Sequence, residues 1–499
     1  MIKKNILNHA VLSCKNHREL DKKTIKKFIP GYKLMENAGE VIYKIIKQKF
    51  KKQKKIKILC GPGNNGGDGF VVAKLLKENG YKNIDLFCLV TKRELKGDAR
   101  VAADNFNENF KSFTDFQTSN NDVIIDGLFG SGLKKNISGN LKKIIEKINL
   151  KKPYCVSIDI PSGINGDTGE IQGVALKSND TITFTRKKPG HLLSPGSEYC
   201  GNVIVEDIGI NLEKLLFKPQ IFENHPDNWK SKFPWPNQKS HKYTRGFSLI
   251  ICGEKMTGAS RLAARSAARI GCGLLCLGVP KKSFDIYSIE NPIALIETID
   301  NEKDLNNLLK DKRINTILIG PGLGIKETKL KLILRVIKEK NKVIILDADA
   351  LKNNFKTILS KIKGTVVITP HEGEFSKVLK NLKIKKIPGD KLSNALKFAK
   401  KTKLYLILKG YSTIICSPNG KASIDRNSSP FLATGGSGDV LSGMITGLLA
   451  QGMKTFDACC AAVWIHGEVS KIKGPGLIAE DIPEILPNVL KKLKNYRHN

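Results

Sequence analysis

"IKILCGPGNNGGDGFVVAKLLKENG", residues 56–80, begins as an apolar strand, turns through a glycine-rich run and continues with apolar residues at helical spacing. The alternation recurs in "IDLFCLV" (84–90) and "KGDARVAADNF" (96–106), then in "DVIIDGLFGSG" (122–132) and "NLKKIIEKI" (140–148), and "YCVSIDIPSG" (154–163) follows. Continuous apolar strands between helices predict an α/β fold, with a parallel sheet covered on both faces. Such sheets bind ligands beyond the carboxyl ends of their strands. Each of these strands ends in a turn rich in glycine or acid, so the turns are expected to converge.

The pattern stops near residue 215. "FKPQIFENHPDNWKSKFPWPNQKSHK" (217–242) is rich in Pro, Asn and Lys and has no stable period. Residues 221–239 are therefore expected to form a linker, with Trp229, Phe233 and Trp235 as packing residues. The alternation restarts with "FSLIICGE" (247–254), "GASRLAARSAARIG" (258–271) and "LLCLGVP" (274–280). "TILIGPGLG", "KVIILDADAL", "GTVVITPHEGEF", "LYLILKG", "STIICS" and the helix "DVLSGMITGLLAQG" (439–452) complete it. The expected organisation is two α/β domains, 1–220 and 240–499, which suits a 499-residue chain.

Composition restricts the function classes. Forty per cent hydrophobic and 26% charged residues are those of a soluble globular protein. No apolar run is long enough to span a bilayer, and the N-terminus lacks the apolar core of a signal peptide; a cytoplasmic protein without a membrane partner is expected. The eleven cysteines lie scattered, mostly in apolar runs and without a C-x-x-C pair, and are expected to be buried reduced thiols. The net charge of +37 comes mainly from lysine spread along the whole chain. Solvated faces explain it better than a nucleic-acid patch, though the field would draw in anionic small molecules.

Three acid- and glycine-bearing turns mark the first half. "GPGNNGGDGF" (61–70) joins a strand to a helix and offers free N–H groups and a positive dipole end. It is neither a Walker A loop nor a G-x-G-x-x-G fingerprint. "DGLFGSGLKKN" (126–136) and "DIPSGINGDTG" (159–169) again place an acid at a strand end ahead of glycines. Asn65, Asp126, Asp159 and Ser162 would gather oxygen ligands and an acid or base at one mouth. An oxygen-only set suits a hard cation rather than zinc.

In the second half, "NSSPFLATGGSGDVLSG" (427–443) has glycines that permit close backbone approach, followed by a helix start aimed at an anion. Asp439 in its first turn is expected to stay ionised under the helix dipole. As a general base it would take a hydroxyl proton while backbone amides hold a transferring phosphoryl group. The alanine-rich run 259–269 suits packing either between subunits of a homo-oligomer or within the core. Asp347 and Asp349 of "LDADAL" carry no predicted role.

"LMENAG" (34–39), "GPGNNGGDGF", "DGLFGSGL" and "SIDIPSGINGDTG", in order and without gaps, resemble the epimerase domain of the NAD(P)H-hydrate repair enzymes over roughly residues 10–215. "GEKMTGASRLAARSAARIGCGLL", "IGPGLG", "LDADAL", "TPHEGEF", "LKGYST" and "LATGGSGDVLSG" look like the ADP/ATP-dependent dehydratase of the same repair system, over about 235–490. Cys272 stands where that family tends to have alanine. The resemblance implies a Rossmann-like first domain and a ribokinase-like second one. It implies epimerisation of the R and S hydrates of NADH and NADPH, with potassium held by Asn65, Asp126 and Ser162. Substrate contacts would come from Asn64, Asn65, Gly66, Gly67 and Asp68, from Gly130, Ser131, Gly132, Leu133, Lys134, Lys135 and Asn136, and from Asp159, which is also assigned here as the acid/base. In the second domain it implies dehydration of the S hydrate with ADP or ATP and Mg²⁺, ADP giving AMP and phosphate. Gly258, Ala259, Gly322, His371 and Asp439 would touch the hydrate. Lys409, Gly410, Tyr411, Ser412, Thr413 and Gly438 would touch the nucleotide. The competing expectation is a ribokinase-like small-molecule kinase with a non-catalytic N-terminal interaction domain.

Overall fold

The computed structural model describes residues 7–290, 292–352 and 354–496. The chain forms two compact units, Met1–Pro219 and Gln220–Asn499.

In the first unit six strands, β1 (Ile56–Cys60), β2 (Ile84–Cys88), β3 (Val123–Gly127), β4 (Tyr154–Ile158), β5 (Asp180–Phe184) and β6 (Asn202–Glu206), form a sheet in the order β2-β1-β3-β4-β5-β6. Every pairing is parallel. Successive strand side chains point to opposite faces, and here both faces are dry. Ile58, Ile125 and Val156 join one apolar cluster, with residues of helices α1 (Gly31–Lys49), α2 (Asn64–Glu78) and α3 (Gly97–Asn105). Leu59, Ile124 and Cys155 join another, with Ile144, Ile145 and Ile148 of α4 (Gly139–Lys151). A sheet buried on both faces accounts for strands that are apolar throughout rather than alternating.

The second unit contains β7 (Ile221–Glu223), β8 (Phe247–Ile251), β9 (Leu274–Val279), β10 (Leu295–Thr298), β11 (Ile314–Ile319), β12 (Val343–Leu346), β13 (Thr365–Ile368), β14 (Tyr405–Leu408), β15 (Thr413–Cys416) and β16 (Ala422–Asp425). Their order is β7-β16-β15-β14-β13-β12-β11-β8-β9-β10. Only the β14–β15 and β15–β16 pairings are antiparallel. Helix α5 (Thr257–Arg269) packs on α7 (Ser437–Ala450), while α6 (Glu372–Asn381) follows β13. At Gly443 a Cβ would lie 2.1 Å from the Ala263 carbonyl oxygen, so only glycine allows the two helices to approach this closely. The alanine-rich run thus packs within the core: Ala263, Ala264 and Ala267 are buried there.

Residues 221–239 form no linker. β7 lies within this segment and pairs with β16. Trp229 is fully buried in the core of the second unit, and its Nε1 donates to Asn224 Oδ1. The Asn and Pro content supplies turns and anchors instead: Asn224 Nδ2 donates to Asp425 Oδ1 and to the Cys460 carbonyl. Among the described residues no helix is long and apolar enough to cross a membrane. The cysteines are free, and all but the half-buried Cys272 are buried.

Candidate active sites

At the carboxyl ends of the first sheet's strands lies a cavity of about 850 Å³. The turns after β1, β3 and β4 reach it through Asn64, Asn65 and Asp68, through Gly130–Asn136, and through Asp159. Gly130 separates two of these groups: a Cβ there would lie 2.8 Å from Asn65 Oδ1 and 3.1 Å from Asp159 Oδ2. Asp159 adopts a left-handed backbone, φ +68°, a conformation uncommon outside glycine that tends to cluster at functional sites. Its Oδ1 meets the Lys188 ammonium and the Thr183 hydroxyl, and its Oδ2 accepts from the Ser131 amide at 3.3 Å.

Burial alone would raise the Asp159 carboxyl, but the charge of Lys188 outweighs it and holds Asp159 well below the usual carboxylate range. His191 Nδ1 accepts from the Lys188 amide at 2.8 Å, which leaves Nε2 to donate to the Asp159 carbonyl, also at 2.8 Å. Burial, then Lys188, pushes both His191 and His17 down to about 3, so these imidazoles are neutral. Asp21 is pushed up to about 6 by burial and by the charge of Asp159. Asp68 is raised well above its ordinary range by the same two causes.

Asp126 lies completely buried. It accepts from Ser162 N, Ser162 Oγ, Ser157 Oγ and, at 3.2 Å, Leu128 N. Burial raises its carboxyl despite these donors, all of which are neutral. Asn65 spends its Nδ2 on the Ile158 carbonyl, leaving Oδ1 as its acceptor. A buried carboxylate with neutral donors, beside further oxygen donors, fits a hard monovalent cation supplying the missing counter-charge.

The second site also lies at strand ends. Gly436 caps α7 with φ +89° and no side-chain hydrogen bond, so the first-turn amides of this helix are not met by a cap side chain. Lys409 follows β14, and its Nζ lies 3.1 Å from where a Cβ on Gly438 would sit. The same ammonium is 3.1 Å from Oδ1 of the buried Asp347, after β12. Asp349 Oδ2 accepts from the Gly324 amide. Asp439 is not held ionised by the helix dipole, contrary to expectation. Burial, then the charge of Asp347, pushes its carboxyl up to about 7, with Asp349 and Glu374 adding to the rise and Lys409 opposing it.

Known proteins match both halves. The family described as YjeF-related protein N-terminus matches residues 31–190, and that described as NAD(P)H-hydrate dehydratase matches 248–487. The bifunctional NAD(P)H-hydrate repair enzyme of Dictyoglomus turgidum is 35% identical over 94% of this chain and 96% of its own length. The Coxiella burnetii enzyme of the same name is 34% identical over 90% and 92%. The chain belongs to the bifunctional NAD(P)H-hydrate repair enzyme family. A ribokinase-like superfamily protein from Enterococcus faecalis V583 covers 56% of this chain and 98% of its own, at 24% identity and a TM-score of 0.50, a likeness of fold.

Of the residues that family resemblance implies for the first unit, the structure places most but not all at the cavity. Gly66 and Gly67 serve packing: Cβ atoms there would lie 1.9 Å from the Gly61 carbonyl oxygen and 2.5 Å from the Met35 side chain. Asp126 and Ser162 bond each other in the buried layer rather than lining the cavity. In the second unit Gly322, φ +63°, meets the turn before Gly258 and Ala259: a Cβ on it would lie 2.2 Å from the Met256 carbonyl oxygen. His371 is exposed and caps α6, its Nδ1 accepting from the Gly373 amide at 3.0 Å. Gly410 and Tyr411 are exposed, Ser412 is half-buried, and Thr413 turns inward to donate to the Gly410 carbonyl.

Sequence reasoning missed Lys188, His17, Asp21 and His191 in the first site, and Asp347 in the second. "TRKKPGHLL" (185–193) carried a usable signal, because it too follows a strand of the parallel series. His17 and Asp21 come from helix Cys14–Lys27, ahead of every strand of that sheet, and no motif marks them.

Proposed function

We propose that the protein repairs hydrated NADH and NADPH, the first unit interconverting the R and S hydrates and the second dehydrating the S form with ADP. Family membership over nearly the whole chain supports the pairing of the two activities and not the kinase-plus-scaffold alternative. The observation that carries the chemistry is that each unit sets an aspartate beside a lysine at strand ends, Asp159 with Lys188 and Asp439 near Lys409.

The hydrate is a hemiaminal, with its hydroxyl beside the ring nitrogen. In the first unit the nitrogen lone pair expels that hydroxyl as it takes a proton from Lys188, leaving water and an iminium. Water returns on the opposite face and gives its proton to Asp159, and that proton passes to the neighbouring Lys188, restoring the ion pair. The cavity residues Asn64, Asn65, Asp68, Gly130–Asn136 and Asp159 hold the substrate. Asn65, Asp126 and Ser162 would hold potassium, which supplies counter-charge and fixes these turns when bound.

In the second unit Asp439 takes the hydroxyl proton as the oxygen attacks the β-phosphorus of ADP, delivered with Mg²⁺, and the bond to AMP breaks. The ring nitrogen then expels phosphate, a proton leaves the neighbouring carbon, and reduced nicotinamide is restored. Gly258, Ala259, Gly322 and His371 contact the hydrate; Lys409, Gly410, Tyr411, Ser412, Thr413 and Gly438 contact the nucleotide. Phosphorylation turns a poor leaving group into a good one, which explains a kinase-like site in a dehydratase.

The test is incubation with purified R and S hydrates, ADP, Mg²⁺ and K⁺, following the return of reduced-nicotinamide absorbance. Consumption of both epimers is expected. An untouched S hydrate would overturn the dehydratase reading, and R hydrate persisting while S is consumed would overturn the epimerase reading.

A further inference from the structure

Asp347 and Lys409 reach the second site from the strands on either side of β13. The Asp347 side chain is 1% exposed, yet both of its oxygens are engaged. Oδ1 is 3.1 Å from Lys409 Nζ, and Oδ2 is 3.0 Å from Ser442 Oγ. Ser442 stands one turn beyond Asp439 on α7, and residues three apart share a helix face. The buried carboxylate therefore joins β12, β14 and the start of α7 at a single point. A buried ion pair rarely improves on apolar packing for stability alone, so this one calls for another purpose.

We propose that Asp347 is a positioning residue for phosphoryl transfer, holding Lys409 over the first turn of α7 and placing a fixed negative charge behind Asp439. This rests on the reading of Asp439 as base and of Lys409 as a nucleotide contact. Lysine alone beside Asp439 would hold that carboxylate as a weak base. With Asp347 compensating it, the lysine still presents its donors to the phosphates while the charge facing Asp439 is no longer positive. Asp349 and Glu374 also face Asp439. The first is tied to the Gly324 amide and the Lys352 ammonium, the second to the His371 amide.

The full-length protein carrying Asp347→Asn, an isosteric change, is assayed with S hydrate and ADP–Mg²⁺ beside Lys409→Met and the double variant. For Asp347→Asn, KM for ADP is expected to rise on the order of tenfold, and the acid limb of kcat/KM for hydrate to move down by roughly one pH unit. Lys409→Met should also raise KM for ADP but move the limb up, since it removes a positive neighbour. The double variant should show a KM no higher than Lys409→Met alone. An unchanged KM in Asp347→Asn, multiplying KM effects in the double variant, or limbs shifting in the same direction would overturn the proposal. If Asp347→Asn does not fold, Lys409→Met decides: an upward limb supports the proposal, and an unmoved or downward limb overturns it. Asp439→Asn separates the underlying reading, because dehydration surviving that change removes the base assignment and leaves the KM effects to test the lysine.

Discussion

The two sites use the same pair of residue types to opposite ends. In the first unit Lys188 contacts Asp159 itself, and its charge holds that carboxyl low although burial would raise it. In the second unit Lys409 is spent on Asp347, and Asp439 is pushed up to about 7. Of the two aspartates, one is thus held well below the usual carboxylate range and the other is pushed up to about 7. Where one ammonium sits, more than how deeply the carboxylate is buried, divides the two roles.

The comparison can be broken by removing its members. Asp439→Asn should lower dehydration by about 10³-fold or more and leave epimerisation intact; comparable losses in both activities would show that the units do not work separately. Lys188→Met should reduce epimerisation by about 10²-fold and give it an acid limb, because the buried Asp159 then loses its compensating charge. A pH profile sharpens the contrast in the unaltered enzyme. Dehydration kcat/KM should fall about tenfold per unit on the acid side of pH 7, as Asp439 takes up a proton and ceases to be a base. Epimerisation should show no limb from Asp159 over that range. The smallest effect is expected from Gly130→Ala, whose Cβ would press on Asn65 and Asp159. A loss of a few fold in epimerisation, measured with dehydration unchanged, would place both residues at one working surface.

Much of this arrangement was legible in residue order. Strand-turn-helix periodicity gave two covered sheets, acids at strand ends marked Asp126 and Asp159, and a glycine-rich helix start marked Asp439. The linker misled, because turn-rich composition describes local conformation and says nothing of whether Trp229 finds a core to enter. Asp347 lay within "LDADAL", but nothing in that stretch alone assigned it a role. Its importance appears only when Lys409, 62 residues later, is seen beside it.

The sequence by itself determined the architecture and the chemistry-bearing turns, because side-chain periodicity, glycine conformational freedom and helix starts are local properties of the chain. It also placed Asp159 at a strand end and Asp439 at a helix start. Only the tertiary structure decided their protonation. A carboxyl's affinity for protons depends on burial and on nearby charges, and those charges come from Lys188 in the first unit and from Asp347 and Lys409 in the second, which folding brings to each site.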